Sequence, residues 1–229
     1  MDRVYGRYDR QRNCWLTMDA EQTQRYCMKI DHSERVSADT GQRLYVLAAG
    51  QAVDEEGKPD VTHVLSGLVG AFVVEGPDGK AEIVAGSARI DKGASGAAPN
   101  DWKFVKLGPS DYWGWQNRVS DCHQGYCGSR YSILAPYGRG IRELAGFVAS
   151  YDEAGTCSEE PCAAKSTSLE SQLDIDSTKI DQKVFPLLVT VTGENKGTKM
   201  RSKTWTLLFN PTKWSYPEPN QWPLKGRDF

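Results

Sequence analysis

Six cysteines fall in three close pairs along this chain: Cys14 with Cys27, Cys122 with Cys127, and Cys157 with Cys162. An even count in local pairs reads as three short-range disulfides, the chemistry of an oxidising compartment. Loops this small act as staples that pin turns rather than join distant parts of a core. The rival chemistry is zinc held by Cys122, Cys127, Cys157 and Cys162. Structural zinc sites favour tighter C-x2-C knuckles, and that reading leaves Cys14 and Cys27 without a role. A thiol nucleophile is weaker still. His123 adjoins Cys122, but neighbours on an extended chain face opposite ways.

Other groups able to do chemistry are sparse. His32, His63 and His123 are far apart, with no i, i+3 or i, i+4 pair that would suggest metal ligation. Asp174, Asp176 and Asp181 could offer oxygens to Ca2+. The run lacks the glycine and distal glutamate of an EF-hand loop, and a polar strand edge or loop explains it as well. There is no phosphate-binding loop, dinucleotide fingerprint, H-E-x-x-H or G-x-S-x-G element. No catalytic residue, metal or cofactor is therefore assigned, and the balance leans away from an enzyme. A hydrolase would need a site assembled in space from distant residues.

The remaining constellation is aromatic. If 112–116 is extended, Trp113 and Trp115 share one face and Tyr112 takes the other, with Tyr126 following in the Cys122–Cys127 loop. Large flat rings on a β surface suit core packing, a protein contact or stacking on a sugar. Tyr112, Trp113, Trp115 and Tyr126 are the candidate binding residues.

Strands must carry these groups. Gly and Pro recur at short intervals, 22 and 11 of them, as many short strands require. Strands are expected at 43–47, 102–107, 112–116 and 131–134. One hairpin runs from Leu68–Glu75 through Gly76-Pro77-Asp78-Gly79 to Glu82–Ala85. A second runs from Phe185–Thr192 through a turn at Gly193–Gly197 to Thr204–Phe209. Two capping boxes predict short helices: Asp19 with Gln22 inside 14–29, and Thr167 with Glu170 opening 167–173. Ile141–Tyr151 fits either period and is read as strand. From Asn210 onward, four prolines alternate with Trp214, Tyr216 and Trp222, which predicts an extended strap over 210–229. The expected fold is mainly β: an antiparallel β-sandwich or open barrel with one or two short helices, in a single domain over 1–229.

Bulk properties narrow the function. With 28 basic and 30 acidic residues the net charge is −2, which argues against a nucleic-acid partner. No apolar stretch approaches the roughly 18 residues of a membrane span. Met1–Gly6 has no apolar leader, so together with the cysteines the chain reads as the processed form of a periplasmic or secreted protein. The expectation is a non-catalytic binding protein of inhibitor or immunity type with a protein partner. A carbohydrate- or peptidoglycan-binding module is the alternative, and free strand edges leave room for a homodimer.

Overall fold

A computed structural model describes residues 1–229 except 39, 40, 78, 79, 158–161, 163, 164, 220, 228 and 229. The protein is mainly β, with two antiparallel sheets of six and eight strands. Among the described residues, no helix is long and apolar enough to cross a membrane. The chain divides into two compact units, residues 1–103 with 136–142 and residues 104–135 with 143–229.

The first unit holds the six-stranded sheet. Its strands are β1 (Tyr8–Asp9), β2 (Cys14–Met18), β3 (Arg25–Ala38), β4 (Gly41–Val53), β5 (Gly67–Glu75) and β6 (Glu82–Lys92), each paired with its neighbour in sequence. One face buries Tyr26, Met28, Val46, Ala48, Leu68 and Phe72. A four-residue helix, α1 (Asp2–Tyr5), lays Tyr5 over that face, edge-on to Phe72 and donating from its hydroxyl to Ala88 O at 3.0 Å. Gly70 makes this possible: a Cβ there would lie 1.8 Å from the Tyr5 hydroxyl. The far edge, β6, is met by the 136–142 turn, where Gly86 N donates to Arg139 O (2.9 Å) and Ile141 N to Ser87 Oγ (3.0 Å).

The helix expected within 14–29 is instead the β2–β3 hairpin, crossed by the Cys14–Cys27 disulfide. Asp19 does accept hydrogen bonds, from Thr23 N (2.8 Å) and Gln24 N (3.1 Å), but these close a turn. An Asp carboxylate satisfies local backbone donors in either setting, so the box pattern alone does not choose helix. The predicted hairpin after Glu75 is formed by β5 and β6; Asp78 and Gly79 of its turn lie outside the described residues.

The second unit holds β7 (Lys103–Gly108), β8 (Tyr112–His123), β9 (Tyr126–Tyr137), β10 (Gly140–Asp152), β11 (Ser168–Ile175), β12 (Leu187–Asn195), β13 (Thr198–Lys199) and β14 (Lys203–Leu207). Sequential strands pair from β7 to β13, and β14 returns to pair with β12. Segment 141–151 is strand, as read. The second predicted helix is strand too. Leu169, Ser171 and Leu173 of β11 are buried while Ser168, Glu170 and Gln172 face out, a period of two. Ser171 tolerates burial because its hydroxyl donates to Ala149 O. The second hairpin turns more tightly than expected, on Lys196 and Gly197 alone, both at positive φ (52° and 72°).

Leu107, Ile133, Leu144, Phe147, Leu187 and Val189 form the centre of this unit's core. Phe185 N donates to Leu107 O (2.7 Å), so the chain entering β12 touches β7. The sheet therefore rolls toward itself but does not close into a barrel among the described residues. The tail lies along this core. Tyr216 N donates to Leu144 O (2.6 Å) and the Tyr216 hydroxyl to Phe185 O (2.6 Å). Trp222 meets Phe147 and Trp205 edge-on at 5.6 and 5.3 Å. The proline-interrupted segment is held by rings and two backbone-directed bonds rather than by strand pairing.

Candidate binding surface

The predicted aromatic residues do not form one cluster. Trp115 is fully buried. Trp113 is half-buried, stacked on Phe104 at 5.0 Å, with Lys106 Nζ 5.5 Å from its ring. Tyr112, on the opposite face of β8, accepts a hydrogen bond from Trp214 Nε1 (3.2 Å) and meets that ring edge-on. Tyr126 lies beyond the other end of β8, opposite His123. His123 is eight positions along the strand from Trp115, roughly 26 Å.

Tyr126 sits where three connections of the second unit come together. The first is the β8–β9 turn, formed by Gln124 and Gly125 at positive φ (52° and 86°) and bridged by Cys122–Cys127 directly across the strands. The second is the β10–β11 connection, which carries the Cys157–Cys162 disulfide. The two backbones touch. A Cβ on Gly125 would lie 2.5 Å from Gly155 O, so only glycine lets them approach. The third is the β12–β13 turn, where Gly197 N donates to Ser166 O (3.0 Å) and Lys196 N to Thr167 Oγ1 (3.3 Å). Tyr126, 38% exposed, stands at the outer rim, 6.2 Å from Tyr151.

Glu153 and Thr167 close the base of the middle connection. Glu153 N donates to Thr167 O (3.1 Å), and Thr167 N donates back to Glu153 Oε1 (2.7 Å). The Tyr151 hydroxyl donates to Glu153 Oε2 (3.0 Å), and Arg227 from the tail lies 3.7 Å from the same oxygen. Beneath, Arg118 of β8 grips Glu170 of β11 through both terminal nitrogens and donates from Nε to Ser129 Oγ (2.7 Å), which contacts Ser150 Oγ at 2.6 Å. The small serines let one guanidinium span the sheet as a brace.

Partial burial works against charge on Glu153, but the bonds from Thr167 and Tyr151 and the Arg227 guanidinium outweigh it and hold its carboxyl below the usual range. A depressed folded pKa gives stability that is complete above the ordinary glutamate value, about 4.5, and is lost as pH falls through the folded value. Protection of the Thr167 amide, measured by hydrogen exchange corrected for intrinsic rate, should hold from pH 7 down to the ordinary glutamate value and be lost as pH falls further below it. In Glu153→Gln the acid step should vanish. An unchanged acid step in that variant would refute the assignment.

All six sulfurs are in disulfides, paired as expected, so no thiolate remains for zinc or for nucleophilic attack. Asp176 accepts from Thr178 N (3.2 Å) within a turn, and no group of three His, Cys, Asp or Glu able to hold a metal occurs among the described residues. Glu153, Gly125 and Gly155 escaped the sequence reading, and Thr167 enters it as a helix cap rather than as the partner of Glu153. The contacts that tie the connections together, Glu153 with Thr167 and Gly125 with Gly155, join residues at least fourteen apart and leave no local pattern. No protein-family model, curated protein or solved structure matches the chain.

Proposed function

We propose that this is a non-catalytic exported protein, periplasmic or secreted, that binds another protein in the manner of an inhibitor or immunity protein. The reading rests on one observation: three connections are tied into a single surface by two disulfides, a glycine–glycine contact and the Glu153–Thr167 lock, with Tyr126 at its rim. Loops ordered in advance lose little entropy on association, and a tyrosine at the rim supplies contact area at low cost. Three disulfides suit an oxidising compartment. Trp115 is buried, so the reading is built on this end of the unit rather than on the 112–115 rings.

The test is affinity capture from the producing cell's envelope fraction and culture fluid, followed by titration of the partner recovered. A stoichiometric partner is expected. Its affinity should fall about tenfold or more in Tyr126→Ala and stay unchanged in Tyr137→Ala, which removes an exposed ring from the first unit. Recovery of no stoichiometric partner, or equal losses in the two variants, would overturn the proposal.

A further inference from the structure

The near-neutral charge of the whole chain conceals a local excess. Between Ser177 and Arg227 stand nine basic residues against three acidic ones. Four of the nine, Lys196, Lys199, Arg201 and Lys203, fall within eight residues on the turn, β13, the link after it and the start of β14, at the margin of the eight-stranded sheet. All four are exposed, and among the described residues none forms an ion pair. Glu194, opposite Lys199 in the register, is the one acid on the hairpin. The register slips by one between Lys199, opposite Glu194, and Lys203, opposite Val191, so these two cations stand on opposite faces of the hairpin and the basic side chains flank both sides of its margin. Lys203 Nζ is held 4.7 Å from the Trp205 ring. Hydroxyls stand among them: Thr198, Ser202 and Thr204 are exposed, and Thr204 Oγ1 contacts Thr190 Oγ1 at 2.8 Å.

We propose that this hairpin is a binding site for an anionic polysaccharide, a chain of sugars carrying sulfate or carboxylate groups. Four exposed cations within eight residues, on both sides of a strand margin, concentrate a polyanion able to lie along that edge. Hydroxyls and a half-buried indole beside the cations suit a polyhydroxylated chain better than an apolar one. Polymers of this kind belong to the space outside the cytoplasm, where disulfides persist. Lysines at a sheet margin also discourage pairing with other strands. That role alone predicts no saturable ligand. The site shares the β12–β13 turn with the surface proposed for protein binding but none of the side chains invoked there, and it does not depend on that reading.

The test is titration of the oxidised, full-length protein with heparin as the sulfated probe, followed by tryptophan emission. Saturable binding that weakens with added salt is expected. The affinity should fall at least tenfold in Lys199→Glu/Arg201→Glu and less than twofold in Lys29→Glu/Arg35→Glu on β3. Tyr126→Ala should leave it unchanged, and Trp205→Phe should remove most of the emission change. Circular dichroism confirms that each variant is folded. Equal loss in the two charge-reversed pairs, or no saturable binding by folded protein, would overturn the proposal. Tighter binding to polyglutamate or to phosphatidylglycerol vesicles, with the same dependence on Lys199 and Arg201, would replace the polysaccharide with an acidic protein or a membrane.

Discussion

Full reduction of the three disulfides should lower stability by about 7 kcal/mol on the loop-entropy model, which assigns about 3 kcal/mol to the longest loop and about 2 to each short one. The sequence separations are 13, 5 and 5. A loss of that size is comparable to the whole stability of an ordinary domain, about 5–15 kcal/mol, so the reduced chain should unfold in mild urea or spontaneously. Reduction should also be ordered. Cys122 and Cys127 are both exposed, whereas Cys14 is fully buried, so a thiol reductant reaches Cys122–Cys127 first and Cys14–Cys27 last. Urea unfolding with and without dithiothreitol, with mass mapping of alkylated cysteines at intermediate times, measures both. An unfolding free energy of the reduced protein within about 1 kcal/mol of the oxidised one would refute the first claim. Early modification of Cys14 would refute the second.

Trp115→Ala should cost about 3–5 kcal/mol, the range for removing a large buried aromatic ring. Trp115 has no solvent exposure, and Phe104 meets it at a ring separation of 6.3 Å. Trp113→Ala should cost clearly less, because that ring is half-buried and its main aromatic contact is the single stack on Phe104. Chemical denaturation of the two variants side by side gives the comparison. Equal and small losses would show that Trp115 is not a core residue and would return the 112–115 segment to consideration as a binding surface.

The β character of the chain was legible because apolar runs and alternation at 43–47, 68–75, 112–116 and 131–134 became strand, as did 102–107 apart from Trp102, which precedes β7. The two misread segments share a cause. Leu169 and Leu173 are four apart, which fits a helix stripe, and two steps of two apart, which fits a strand. The residue that decides between them is Ser171, polar in sequence yet buried, and its burial depends on Ala149 O from β10. Similarly, β3 shows no sustained apolar alternation, and among its described side chains only Tyr26 and Met28 are buried. Its strand state comes from β2 and β4 on either side. At the binding surface the cysteine pairs could be read, but not the meeting of two of them at Gly125 and Gly155. The basic hairpin was visible as residues and was lost in the average over the chain.

The order of the strands bears on how the chain reaches this state. β1 to β6 pair strictly in succession, and so do β7 to β13. Each disulfide joins cysteines that are consecutive in the sequence. A chain delivered from its amino end can therefore complete the first sheet once residue 92 has emerged, each hairpin zipping onto the one before it. A thiol oxidant that joins each new cysteine to the one preceding it yields the native pairing with no later shuffling. Such a protein has little need of a disulfide isomerase, and its maturation can keep pace with its delivery.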